Sequence, residues 1–385
     1  MKGVRPHRRV KVLINPKGGP GKAKQAFEKR VKPIFDAAKC LLDVQYTTKR
    51  FHAQEIAASM SLDYDAIASL SGDGLPHEII NGIASRTDDS VHALRTVPVV
   101  PIPTGSANGF NLNLQGMKGC FDVGLAALNV IKGKPMHLDM CSVTQGTKRS
   151  WSFFTQAAGL MSDLDVGTEH LRWMGDSRFI YGYLRGLIAK KPCPIKVSMK
   201  VVESDKQKLL ERIREHKMGT RPVDVEQPTE DPPSLSLSSL PEDKYANESP
   251  DGGHSDWVVF DKPILYLYSG TQPYVARDLL QFPAARPADG LLDVVIQEVT
   301  DRASLLGALN GAEYGHAFFM KTQHYFKVKA LRVEPISSSK KSLFSIDGEK
   351  FPWEPLYIEP HKALFTTLSL HGDFIQDFRE TTFQK

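Results

Sequence analysis

Leu70-Ser71-Gly72-Asp73-Gly74-Leu75 is the stretch from which the rest of this chain is read. It closes an apolar run, Ala66 to Leu70, and opens a helix-like segment, Pro76 to Ile83. An aspartate between two glycines has no neighbouring side chain to block a close approach to a phosphate. It also stands near a helix N-terminus, where backbone N–H groups favour anions. Two more glycine turns follow apolar runs in the same half: Asn15-Pro16-Lys17-Gly18-Gly19 and Pro103-Thr104-Gly105-Ser106-Ala107-Asn108. Three such turns gathered at one sheet edge imply a nucleotide site with a built-in acid/base group.

The surrounding pattern supplies that sheet. Short apolar or β-branched runs at Val10–Ile14, Asp43–Thr47, Ala66–Leu70 and Val97–Ile102 alternate with helical patterns at Lys22–Ala38, His52–Met60, Pro76–Ala84 and Phe121–Ile131. This predicts a Rossmann-like α/β domain with a parallel sheet over residues 1–136. Ligands on such sheets bind at the carboxyl ends of the strands, where all three turns fall. From His137 on, strand-like runs dominate, among them His137–Val143, Ser150–Ala157, Pro194–Val202, Ile264–Ser269 and Tyr325–Val333. One apolar helix, Phe179–Ala189, interrupts them. Residues 137–385 therefore read as a β-sandwich-rich second domain, with the active site in the cleft between the two. Within it, 203–256 reads as a disordered insertion, rich in Pro, Ser and acid around Gln227–Ser236. It is a candidate for recruiting regulators, or a neutral spacer.

Bulk composition narrows the class. At 385 residues, two domains are the natural expectation. A net charge of +5 is too weak to argue for nucleic acid, although it suits a polyanionic ligand or an anionic membrane surface. Cys40, Cys120, Cys141 and Cys193 are scattered without a CxxC pair, which argues against a metal knuckle and for a reducing, cytoplasmic setting. No apolar run approaches the ~18 residues of a membrane span, so any membrane association is expected to be peripheral. Oligomeric state stays open, a homodimer included.

Taken singly, each turn is ambiguous. The first is not a Walker A loop, since Ala23 follows Lys22 where Ser or Thr is required. It is equally well a structural strand-to-helix turn. Ser106 and Asn108 read equally as helix caps, and Asp73 as the N-cap of the Pro76 helix. Their order, each just after a strand, is what a purely structural account leaves unexplained.

In that order the three turns, with Leu75-Pro76-His77-Glu78 following the second, resemble the motifs of the diacylglycerol-kinase-like lipid kinase superfamily. Gly159-Leu160-Met161-Ser162-Asp163-Leu164-Asp165, then Arg172 and Gly175-Asp176-Ser177-Arg178-Phe179, are similar to the block that marks sphingoid long-chain-base kinases. Ile346-Asp347-Gly348-Glu349 matches the last family motif. Ala107 departs from the pattern, standing where glycine is usual.

The resemblance implies ATP with Mg2+, and an acceptor lipid whose primary hydroxyl is phosphorylated. It makes Asp73 the general base. Asn15, Pro16, Lys17, Gly18, Gly19, Thr47, Ser71, Gly72, Gly74, Glu78, Gly105, Ser106 and Ala107 carry over as nucleotide contacts, together with Asp347, Gly348 and Glu349. Arg172 and Arg178 become phosphate clamps. No metal ligand is named. Asp165 is implied as the partner of the substrate ammonium, with Asp163 on the same face if the stretch is extended. Leu160, Met161 and Phe179 flank these positions as candidate tail contacts. His52, His77 and His316 pair with no nucleophile and read as surface or core histidines. Diacylglycerol or ceramide kinases are the rival readings within the superfamily. A catalytically silent lipid-binding scaffold is the rival outside it.

Overall fold

The computed structural model describes residues 7–168, 177–189, 191–219, 239–250, 256–337 and 342–383. Its first half is a parallel sheet of β1 (Arg9–Ile14), β2 (Leu41–Tyr46), β3 (Ala66–Ser71) and β4 (Val99–Pro103), ordered β2-β1-β3-β4. β3 and β4 are buried throughout and β1 nearly so, because helices cover both faces, which is why they read as unbroken apolar runs. β2 is the half-exposed edge. The order sets β1 beside β3 and β3 beside β4, so the three glycine turns leave neighbouring strands.

Two helices of this half were not anticipated, Ser90–Thr96 and Gly109–Gly119. In the second, Phe110, Leu112 and Leu114 alternate with Asn111 and Asn113, a strand-like period. Its Asn111 and Asn113 are buried, and their amides satisfy the backbone carbonyls of Cys120 and Tyr274 at 2.9 and 2.8 Å. Polar residues so placed hide a buried helix from a periodicity reading.

The second half opens at β5 (Lys134–Gln145), so the change of sheet falls at Gly133, ahead of the expected 136. β6 (Lys148–Ser152), β7 (Thr155–Gly159), β8 (Ile195–Glu203), β9 (Val258–Phe260) and β10 (Ile264–Gly270) follow. After the small pair β11 (Tyr274–Ala276) and β12 (Leu279–Leu280) come β13 (Leu292–Glu298), β14 (Gln323–Pro335), β15 (Phe344–Ile346), β16 (Glu349–Phe351) and β17 (Leu356–Ser369). Apart from β11 and β12 they form one eleven-stranded curled sheet along β16-β15-β7-β10-β13-β14-β17-β5-β6, with β8 and β9 branching from β14. Successive side chains feed opposite cores. Val295 and Tyr325 join one cluster, Val294, Ile296 and Phe326 the other. Both faces are thus covered, as in a sandwich.

The insertion differs from expectation at its flanks. Lys206–Lys217 is a helix, capped by Asp205 and buried on Leu209, Leu210 and Ile213. Residues 239–250 are clamped to the sheet: Asp243 accepts from Ser142 and Arg149, and Glu359 accepts the Lys244 and Tyr245 N–H groups. An apolar stripe and satisfied carboxylates offset the ordering entropy that the segment's average composition does not cover. Gln227–Ser236 lies outside the described residues. Among the described residues the four cysteines are free thiols, and no helix is long and apolar enough to cross a membrane.

Candidate active site

The three glycine turns touch. The Asn15 N–H donates to the Leu70 carbonyl and the Thr104 N–H to the Ser71 carbonyl, each at 3.1 Å, pinning the outer turns to β3. Gly105 packs on Gly72 so closely that a β-carbon on Gly105 would lie 2.3 Å from the Gly72 Cα. Gly19 has φ +52°, and a β-carbon there would lie 2.7 Å from the Thr104 carbonyl oxygen. No side chain fits at either place, so this wall is bare backbone. Asn108, left-handed at φ 53°, does not cap the helix it precedes. Its amide clamps Gly105, accepting from the N–H at 3.0 Å and donating to the carbonyl at 2.8 Å.

These turns line a cleft of about 570 Å³ whose far wall comes from the second half. Asn15, Lys17, Gly18, Gly19, Thr47, Ser71, Gly72, Asp73, Gly74, Glu78, Gly105, Ser106, Ala107, Asp165, Asp347, Gly348 and Glu349 meet there. Sequence separations of up to 334 residues collapse onto one surface (Asn15 to Glu349). Pro16 is not on the lining. Arg172 lies outside the described residues. Arg178 and Phe179 sit on the Ser177–Ala189 helix, with side chains outside them.

Asp73 heads the Gly74–Ala84 helix without capping it. Its Oδ2 accepts the Gly109 N–H at 2.8 Å and its Oδ1 the Phe110 N–H at 2.9 Å, so it caps the Gly109–Gly119 helix instead. Burial pushes its carboxyl above the usual range, the two N–H groups oppose that, and the nearby Asp347 charge adds to the rise. Each oxygen keeps a lone pair. The site therefore holds a fixed carboxylate of raised pKa against a wall of bare backbone.

Glu78 plays a supporting part. Its carboxylate accepts the Phe51 and Ala53 N–H groups at 3.0 and 3.1 Å, capping the His52–Ser59 helix and fixing the Thr47–Arg50 wall. Burial raises its pKa against those same donors. Arg50 reaches across the cleft to an ion pair with Glu349, joining the two halves.

Asp347 corrects an expectation. Its side chain is buried and saturated. Oδ1 accepts from Ser152 Oγ (2.6 Å) and from the Phe154 and Thr155 N–H groups (3.1 and 2.9 Å). Oδ2 accepts from the Phe153 N–H (3.1 Å) and His77 Nδ1 (2.8 Å). Five donors leave no oxygen for a nucleotide, because a buried carboxylate must be paired within the protein. Asp347 anchors the turn that carries Gly348 and Glu349. Burial pushes the His77 pKa down, but the Asp347 hydrogen bond and charge outweigh it and the net shift is upward. The pair's contribution is then whole below the ordinary histidine value of ~6.5 and fades as pH climbs through the raised folded value. His77→Gln is expected to cost about 2 kcal/mol at low pH and to flatten that fade. Urea melts across the range test this, and matching profiles for both proteins would refute it.

A tunnel of about 90 Å³ adjoins the cleft, and Asp165, Tyr268 and Val275 line both. Asp165 ends the Leu160–Asp165 helix, with Oδ2 accepting from Ser345 Oγ at 2.9 Å. Because this stretch is helical, residues two apart point about 200° apart. Asp163 accordingly leaves the site: it is exposed and lines neither cavity, correcting the shared-face expectation. Leu160 is core as well, its Cδ1 lying 2.0 Å from where a Gly186 β-carbon would stand. Met161 does line the tunnel. Tyr266 and Tyr268, missed in the sequence, sit two apart on β10 and both reach the tunnel, a spacing that marks one strand face.

Among the described residues no group of three His, Cys, Asp or Glu side chains could hold a metal ion.

Residues 9–143 match the Diacylglycerol kinase catalytic domain family. Over 371 residues the chain is 35% identical to "Sphingoid long chain base kinase 4" of Schizosaccharomyces pombe, covering 96% of this chain and 76% of that one. The chain belongs to the sphingoid long-chain-base kinases, lipid phosphotransferases of the diacylglycerol kinase superfamily. "Sphingoid long chain base kinase 5" of Saccharomyces cerevisiae is 31% identical, covering 97% of this kinase and 61% of its own length. A crystal structure of a diacylglycerol kinase from Bacillus anthracis shares the fold, with TM-score 0.55 at 14% identity over 96% of this kinase and 98% of that chain.

Proposed function

We propose that this kinase transfers the γ-phosphoryl group of ATP to the primary hydroxyl of a sphingoid base, with Asp73 as general base. One observation carries the reading: a backbone-lined cleft holding Asp73 and an apolar tunnel share Asp165 at their junction. Bound ATP supplies the phosphoryl group, and Mg2+ neutralises its charge. Lys17 and the bare glycine turns hold the phosphates. Among the described residues no three-ligand cluster stands, and an ion arriving with the nucleotide would take one or two carboxylates there. Asp73 accepts the hydroxyl proton on the free lone pair of a carboxylate oxygen, late in a loose transition state. Asp165 receives the ammonium of the base, orienting the neighbouring hydroxyl.

Labelled ATP with purified protein and a panel of sphinganine, sphingosine, 4-hydroxysphinganine, ceramide and diacylglycerol tests this. Label is expected on the three amino bases alone. Label on ceramide or diacylglycerol instead would reassign the substrate.

The reading includes peripheral contact with the bilayer that holds the lipid. Tyr181, Leu184 and Ile188 form an exposed stripe on the Ser177–Ala189 helix. The Arg302 guanidinium donates to the Ile188 carbonyl at 3.0 Å, bringing exposed Leu306 and Leu309 alongside, and Leu309 also lines the tunnel. Ile188→Asp is expected to cut vesicle co-sedimentation severalfold while turnover of detergent-dispersed base persists. Undiminished vesicle binding would exclude this face.

A further inference from the structure

The ammonium and the reacting hydroxyl of a sphingoid base stand on adjacent carbons, so covalent bonds fix their separation. Asp165 and Asp73 must then be held at a matching separation, although they belong to different halves of the chain. Asp73 is fixed by the Gly109 and Phe110 N–H groups of the first half, Asp165 by Ser345 of the second. The Arg50–Glu349 ion pair spans the cleft, but its arginine is exposed, and such a pair holds a spacing weakly.

The Gly74–Ala84 helix, which starts at Asp73, reaches the second half from one face. His77 and Asn81 are four apart and share that face. His77 Nδ1 lies 2.8 Å from Asp347 Oδ2. Asn81 grips the main chain of Trp151 twice: its Oδ1 accepts the N–H at 3.0 Å and its Nδ2 donates to the carbonyl at 2.9 Å. Trp151 lies on β6, the last strand of the sheet, and on its outer edge the asparagine amide stands where a further strand would pair. A second donation, from Nδ2 to the His77 carbonyl at 3.0 Å, holds the amide in this orientation. Asp347 binds the next four residues, Ser152, Phe153, Phe154 and Thr155, so all of 151–155 is tied to the helix. Phe154 and Thr155 line the cleft, and β7 leads from Thr155 into the Leu160–Asp165 helix. A path of hydrogen bonds and regular structure thus runs from Asp73 to Asp165.

We propose that Asn81, with His77 one turn before it, is a positioning residue that sets the spacing between Asp73 and Asp165. It does so by holding the helix that begins at Asp73 to the 151–155 segment. This rests on the sphingoid-base reading above and deepens it. Misplacing a reacting group by about an ångström costs about 10²-fold in rate, without removing any contact to the ligand.

Asn81→Ala is expected to lower kcat for sphinganine about 10–10²-fold, with little change in KM for the base or in ATP affinity. Basal ATP hydrolysis should persist, because it makes no use of Asp165: a water oxygen bonds to the γ-phosphorus, the bond to ADP breaks, and Asp73 takes the proton. His77→Leu is expected to behave like Asn81→Ala. His77→Asn, whose amide stands at the level of Nδ1 and still donates to Asp347, is expected to keep most of the wild-type turnover. Circular dichroism checks each fold, and the two His77 variants decide the matter if Asn81→Ala fails to fold. Hydrolysis falling in step with transfer, or transfer undiminished in folded Asn81→Ala and His77→Leu, overturns the inference. Failure of the underlying reading looks different: the wild-type kinase does not phosphorylate sphinganine at all.

Discussion

Asp73→Asn is expected to lower kcat by about 10³-fold, within the range that general-base catalysis contributes. The physical reason lies in both halves of the carboxylate's job. Burial and the Asp347 charge raise its basicity, whereas an amide cannot take the hydroxyl proton at all. The same substitution disturbs the helix it caps. An asparagine oxygen accepts one of the Gly109 and Phe110 N–H groups, and its NH₂ then faces the other. One backbone donor loses its partner, at a cost of about 1–3 kcal/mol. The variant should therefore melt a few degrees lower, bind ATP with little change, and transfer almost no phosphate. Calorimetry, nucleotide titration and single-turnover transfer separate these. Near-normal turnover in a folded variant would remove Asp73 from the chemistry.

Asp165→Ala carries the second large effect, about 10²-fold in kcat/KM for the sphingoid base with a far smaller change for ATP. Asp165 stands where cleft and tunnel join, and its Oδ2 is already steadied by Ser345 Oγ. A carboxylate so placed gains a charge-assisted bond from an ammonium, worth roughly twice a neutral one. Its loss removes orientation of the hydroxyl as well as affinity, so both KM and kcat for the lipid should move. Asp163→Ala serves as the contrast, since that side chain lines neither cavity. Equal effects on ATP and base, or equal effects of the two aspartates, would defeat the assignment.

Most of the parallel sheet and its glycine turns were legible because the buried strands are continuous apolar runs and each turn carries its own small-residue punctuation. What escaped notice did so for identifiable reasons. In the Gly109–Gly119 helix, buried asparagines that bond to carbonyls elsewhere alternate with Phe110, Leu112 and Leu114, so its helical stripe is masked by a period of two. The average composition of 203–256 hides the Lys206–Lys217 helix, although Leu209, Leu210 and Ile213 mark one face. Asp163 and Asp165 share a face only on extended backbone, and the helical period separates them.

Local spacing alone determined that Asp73 sits at a strand-to-helix turn among glycines, since backbone preferences act over a few residues and are written in consecutive positions. Only the tertiary structure decided that Asp73 caps a helix 36 residues away, and that Asp347 spends its carboxylate on His77 and the turn after Ser152. Whether a buried polar group is saturated or left open depends on which distant donors the folded chain brings within 3 Å or so, and no count along the sequence contains that distance.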